Sequence, residues 1–378
     1  KAPLTKDEWL ALEKKANELR HLCLQTTVWA GSGHIGGGMS VMDILTVMYH
    51  RYLNLKKEDP KWEDRDRFIL SKGHAGIAYA PVLCDYGWND MEQLKTFNLT
   101  NSKMGIHLDS NKVVGVDAST GSLGHGIPIA AGTAIAARVL GKDYTTYVVT
   151  GDGELDEGSN WEGLMTIRQY NLTNCITIVD RNHCMIDGNT EDVMKLEPLA
   201  DKFVAFGFNT ITCNGNDIVD LCKAIDAAHA CKDQPSVIVA DTIKGVGIKL
   251  TAGNYKWHYG AIDEELYKRL SRACVQRRYC RTEHDRRCGR YGESGPCAVC
   301  FHLLRIRFAS RGRSAAHRHL LSECQRENHR DPFRYLVRSG GLHPPRDCGF
   351  GGHSRYAEPH RDLPGGRLRN RKRGARGL

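Results

Sequence analysis

Four short, almost unbroken apolar runs, at 145–150, 175–180, 208–213 and 236–241, constrain this chain most. Each has the length of a strand and lacks the in-out alternation of a sheet wetted on one side, so each reads as a strand covered on both faces. Helical segments separate the runs, and a shorter run, Arg67-Phe-Ile-Leu70, precedes them. Strand and helix in alternation predict an α/β fold, a doubly wound and mostly parallel sheet with helices on both faces. Such sheets bind ligands at the carboxyl ends of their strands.

Around this frame, apolar residues at helical spacing over 7–31 predict a long first helix ending at Gly31 and Gly33. A glycine-rich loop, Gly31-Ser-Gly-His-Ile-Gly-Gly-Gly38, is expected next, then a second helix from Ser40 to about Tyr52. An Ala-rich helix is expected from Ile127 to Leu140, and another opens near Gly158.

Composition changes abruptly near residue 270. Residues 1–270 carry 28 basic and 35 acidic side chains, whereas residues 271–378 carry 25 basic, 24 of them Arg, against 9 acidic. All 8 Met precede the break, and 7 of the 14 Cys follow it. The expected organisation is a globular module over 1–270 and a basic tail over 271–378 that is disordered. No run of 18 apolar residues spans a membrane, and the start lacks a signal-peptide layout. The scattered Cys of the first part fit a reducing, cytoplasmic setting.

The most informative motif follows the run at 145–150. Gly151-Asp152-Gly153-Glu154 combines a tight turn, close backbone approach to phosphate oxygens and one hard oxygen ligand for Mg²⁺ or Ca²⁺. Thirty residues later the next strand ends in Asn182-His-Cys184-Met-Ile-Asp-Gly188. Adjacent parallel strands joined by one crossover helix bring these tips together. Asp152, the Asn182 amide oxygen and a main-chain carbonyl near Cys184 then share one octahedral cation. Asp152 is expected to have no counter-charge of its own.

This pattern resembles the thiamine diphosphate motif of transketolases, and the likeness runs through residues 1–265. Ser32-Gly-His34, Ser71-Lys-Gly-His74-Ala, Thr120-Gly-Ser-Leu-Gly124 and His258-Tyr-Gly-Ala are each similar to family segments. His125 replaces a commoner Gln, Tyr259 is inserted after His258, and His107 sits in an atypical Gly-Ile-His-Leu. The resemblance implies a transketolase using thiamine diphosphate and Mg²⁺ or Ca²⁺ to move a two-carbon ketol unit between sugar phosphates of the pentose phosphate pathway. It implies Asp152, Asn182 and the Cys184 carbonyl as metal ligands, and Gly121, Leu123 and Gly153 lining the cofactor. His74 and His258 would contact the diphosphate. His34 and His107 would face the reacting carbon and the donor hydroxyls, and His258 counts with them as catalytic. Imidazole suits proton shuttling near neutral pH. Glu157 and Glu162 resemble dimer-interface acids, and plain helix surface is equally open. Lys244-Gly-Val-Gly-Ile-Lys249 reads either as a phosphate-gripping loop or as a solvated turn.

The tail invites a nucleic-acid reading, but its Arg, Pro, Gly, Cys and His usage favours GC-rich DNA translated out of frame. Shifting allowed codons by one base yields segments that resemble the family's pyrimidine-binding domain, in order. The Glu which that domain directs at the aminopyrimidine would fall across Arg281 and Thr282. Partners implied are a second copy of the chain or a separate carboxyl-terminal transketolase subunit, with no nucleic acid and no membrane. A 1-deoxyxylulose-5-phosphate synthase-like enzyme and a non-catalytic subunit of a split transketolase are the alternatives.

Overall fold

A computed structural model describes residues 1–270. The expectations for 271–378 lie outside the described residues. Helix α1 (Lys6–Ala30) begins at a capping box in which Thr5 and Glu8 exchange hydrogen bonds, and ends at Gly31, whose φ of 77° suits glycine. Next come α2 (Ile35–Ser40), α3 (Met42–Val47) and a π-turn at Met48–Tyr52. The expected loop at 31–38 is therefore helical from Ile35, and the expected second helix is divided at Val41. Packing explains the glycines. A side chain at Gly36 would stand 2.8 Å from the Trp257 carbonyl oxygen, and one at Gly38 3.1 Å from Ile77. At Gly36 the backbone comes too close for a side chain, whereas at Gly38 a side chain would need Ile77 to give way.

The remaining elements alternate as the sequence predicts. They are β1 (Arg67–Leu70), α4 (Gly76–Tyr86), α5 (Gly126–Val139), β2 (Thr146–Gly151), α6 (Gly158–Gln169), β3 (Cys175–Arg181), the single turn α7 (Thr190–Val193), α8 (Leu199–Ala205), β4 (Asn209–Asn214), α9 (Ile218–Ala230) and β5 (Ser236–Asp241). The five strands are all parallel, in the order β1-β2-β3-β5-β4. Alternate residues of one strand serve opposite faces. Tyr147, Val149, Ile176 and Ile178 join the core beneath α1, α3, α4 and α9, while Val148, Cys175 and Val179 join the core beneath α5, α6 and α8. Burial on both faces is why β2, β3 and β5 read as unbroken apolar runs. Strand β4 departs from expectation. It is an edge strand, and Asn209, Thr210 and Thr212 stay partly or fully exposed.

Candidate functional site

Because every strand runs the same way, the segments after β1, β2, β3 and β5 leave the sheet at one edge. They carry Lys72 and His74, Asp152, Asn182 and Cys184, and Lys244. Two outer loops close over them. Gly33 and Gly260 form a two-bond antiparallel bridge that holds the His34 and His258 loops side by side.

The carboxyl ends of β2 and β3 lie side by side, as the spacing predicts. Gly151 pairs with Asp180 in register, so Asp152 and Asn182 follow directly from adjacent strands. Asp152 is buried, and its Oδ1 accepts from the Gly153 N–H at 2.8 Å. Its Oδ2 accepts from the His183 N–H at 2.6 Å and from Arg181 Nη1 at 3.0 Å. Asp152 is thus not without counter-charge, which corrects the sequence-based expectation. Arg181 supplies it. Burial, then the neighbouring Asp180, push the Asp152 carboxyl above its ordinary range, and Arg181 opposes them. Asn182 Oδ1 accepts from the Cys184 N–H at 3.2 Å. The Cys184 carbonyl accepts from Lys244 Nζ at 3.0 Å. No group of three His, Cys, Asp or Glu forms a metal cluster among the described residues. One carboxylate, one amide oxygen and one carbonyl instead make an all-oxygen set, the chemistry that Mg²⁺ and Ca²⁺ take.

Beside this set three imidazoles meet. Ring centroids of His34 lie 5.1 Å from His74 and 5.3 Å from His258, and those of His74 and His258 are 5.3 Å apart. Burial pushes His34 down to about 4 and His258 to about 3, with help from nearby cations, and drives His74 well below the usual imidazole value. Neutral rings at pH 7 follow. Lys244 Nζ lies 2.9 Å from His258 Nδ1. An ammonium can only donate, so Nδ1 accepts and the ring hydrogen belongs on Nε2. His107 packs over Gly121, where an added Cβ would meet its Cδ2 at 2.6 Å, and is near enough to help depress His34. Leu123 is half-buried on the same loop, and Gly153 faces Met185.

The burial of several charges escapes sequence reasoning. Lys72 is 1% exposed, and its Nζ reaches Asp180 Oδ2 at 2.5 Å and the Gly37 carbonyl at 3.0 Å. Asp180 also accepts from the Ser40 and Thr242 hydroxyls. Lys244, 2% exposed, contacts two carbonyls and an imidazole, and no carboxylate pairs with it among the described residues. The segment at 244–249 is therefore not a solvated turn at its first residue. Burial and then Lys72 lower Lys244 to about 8. Glu154 is buried and gathers the Ser71 hydroxyl, the Thr150 hydroxyl at 2.8 Å, and the Gly124 and Gly151 N–H groups at 3.0 and 3.1 Å. Its only sequence signal is its place after Gly-Asp-Gly. Glu157, Glu162 and His125 are exposed.

These features fit a bound anion with a divalent cation. His34 Nδ1 is buried without a hydrogen-bond partner, and Lys244 is a buried cation without a carboxylate, so a polyanion would satisfy both. The oxygen donors lie one residue from these groups through the Cys184 carbonyl.

Comparisons with known proteins place the chain in a family. A family model described as transketolase, thiamine diphosphate binding domain, matches residues 12–274. The chain is 36% identical over 262 residues to a 6-deoxy-6-sulfo-D-fructose transketolase subunit of Clostridium sp. (strain MSTE9), covering 69% of this chain and 95% of that one. It is 40% identical over 250 residues to an apulose-4-phosphate transketolase subunit of Actinobacillus succinogenes, covering 66% and 90%. Among solved structures, the transketolase of Leishmania mexicana superposes with a TM-score of 0.64 at 30% identity, over 72% of this chain and 46% of that one. That of Campylobacter jejuni gives 0.65 at 31%, over 70% and 42%. The chain thus spans nearly all of the subunit relatives and under half of these solved transketolases. No helix among the described residues is long and apolar enough to cross a membrane. The chain belongs to the transketolase family, through a thiamine diphosphate binding domain that occupies residues 12–274.

Proposed function

We propose that residues 1–270 are the diphosphate and metal module of a two-part transketolase that moves a two-carbon ketol unit between sugar phosphates. Asp152, Asn182 and the Cys184 carbonyl would hold Mg²⁺ or Ca²⁺, and Gly121, Leu123 and Gly153 would line the cofactor. When bound, thiamine diphosphate supplies the electron sink for the two-carbon fragment. The chain's own work is binding and proton handling. Lys244 joins His74 and His258 in drawing the diphosphate, and burial without a paired carboxylate makes its field strong, whereas the Lys72 charge is answered by Asp180. His34 and His107 would face the reacting carbon and donor hydroxyls, where neutral imidazole can take or give a proton. His258, its Nδ1 engaged by Lys244, offers Nε2–H as a donor. A carboxyl-terminal transketolase subunit would bring the pyrimidine-binding part. The names and coverage of the subunit relatives support that arrangement over a self-sufficient homodimer.

The observation that carries this reading is Lys244, a buried cation that contacts the Cys184 carbonyl and the imidazole cluster at once. Calorimetric titration of thiamine diphosphate into the full chain tests it. Saturable heat with Mg²⁺ and none with a chelator is expected. Binding that ignores the metal, or no binding at all, overturns the proposal.

A further inference from the structure

We propose that Arg181 is a positioning residue for the metal, fixing the Asp152 carboxylate from behind and tying it to the segment 190–197. The inference rests on the metal assignment above. Arg181 ends β3 and is 2% exposed. Neighbouring strand residues face opposite ways. Asp180 accordingly meets Ser40 and Lys72, while Arg181 meets a separate acidic group. Its Nη1 donates to Asp152 Oδ2 at 3.0 Å and to Thr190 Oγ1 at 2.6 Å. Its Nη2 donates to Glu191 and Glu197, each at 2.9 Å.

Counting lone pairs shows what this achieves. An ionised carboxylate has about four acceptor sites. Arg181 and the His183 N–H use both sites on Oδ2, and the Gly153 N–H uses one on Oδ1. Among the described residues the single remaining site is on Oδ1, so the carboxylate presents one oxygen in one orientation. A guanidinium so near a cation would ordinarily repel it. Here Glu191 and Glu197 answer its charge, and what remains is orientation. Groups that hydrogen-bond a metal ligand typically change metal affinity about 10–100-fold when removed.

The test measures Mn²⁺ binding by electron paramagnetic resonance, with thiamine diphosphate present, on the full chain. Arg181→Met should weaken Mn²⁺ about 10–100-fold and alter the hyperfine pattern of the bound ion, because Asp152 can then turn. Arg181→Lys keeps the charge but loses the fork. It should weaken binding less while still altering the pattern, and it decides the matter if Arg181→Met does not fold. Asp152→Ala serves as reference. If Asp152→Ala abolishes binding and both Arg181 variants match the wild type in affinity and pattern, Arg181 has no positioning role. If Asp152→Ala binds like the wild type, or the wild type does not bind, the metal assignment fails and takes this inference with it.

Discussion

Lys244→Met should release His258. In the wild type, burial and the Lys244 cation hold His258 near 3, and burial with His107, Lys244 and Lys72 holds His34 near 4. Lys244 itself sits near 8, so it is fully charged wherever these rings titrate. At 2.9 Å and an effective dielectric of about 20, the pair repulsion is roughly 6 kcal/mol as a ceiling. Burial is the leading cause for His258, so the cation accounts for the smaller share, and a rise of about 1–2 pH units is expected on its removal. His34 should rise less. Histidine ring resonances followed by NMR from pH 7 to 3 read both midpoints. The linked effect on stability has a definite sign. The unfolded chain takes up protons on these rings near 6.5 and the folded chain only near 3–4, so the unfolded state binds more protons in that window. Stability therefore rises with pH from about 4 to 6.5. Acidification to pH 4 should cost a few kcal/mol after discounting for solvent screening. Asp152, whose folded value is raised, acts in the opposite direction, and Lys244 also interacts with Asp152, so the histidine share is read from the NMR midpoints. Wild-type midpoints at or above 6.5, or an unmoved His258 in Lys244→Met, would refute the electrostatic reasoning.

Other outcomes follow from the same contacts. Asp152→Ala should abolish Mg²⁺-dependent thiamine diphosphate binding, read by calorimetry; unchanged affinity would remove Asp152 from the metal. Lys72→Met strands the fully buried Asp180 charge, which keeps hydroxyl hydrogen bonds from Ser40 and Thr242, so a loss of about 3 kcal/mol is expected in urea unfolding. A loss under about 1 kcal/mol would refute a stabilising role for this buried pair. His34→Ala should spare cofactor affinity and slow ketol transfer in enzyme reconstituted with a carboxyl-terminal subunit. Equal loss of both would make His34 structural.

How much of this was legible depended on where each signal was stored. Strands β1, β2, β3 and β5 were readable to within a residue because a strand buried on both faces must be apolar throughout. Asn209, Thr210 and Thr212 already marked β4 as half-wet, yet its length and apolar flanks made it look central. Glycines 36–38 looked like a loop because glycine is a poor helix former. At Gly36 the reason, the Trp257 carbonyl, lies far along the chain. The Asp152–Asn182 pairing was legible because one crossover between parallel strands fixes it. The burial of Lys72, Lys244 and Asp180 was not, since lysine and aspartate are rarely buried and their partners lie up to 140 residues away. Arg181 stood in plain view between Asp180 and Asn182. Its role depends on which face of β3 it occupies, and that needed the register.

The most direct test of the account is an anomalous difference map from crystals of the chain grown with Mn²⁺ and thiamine diphosphate. The account predicts one peak bonded to Asp152 Oδ1, Asn182 Oδ1 and the Cys184 carbonyl, with Lys244 displaced from that carbonyl toward the diphosphate. A peak bonded elsewhere, or thiamine diphosphate seated away from His34, His74 and His258, would contradict it.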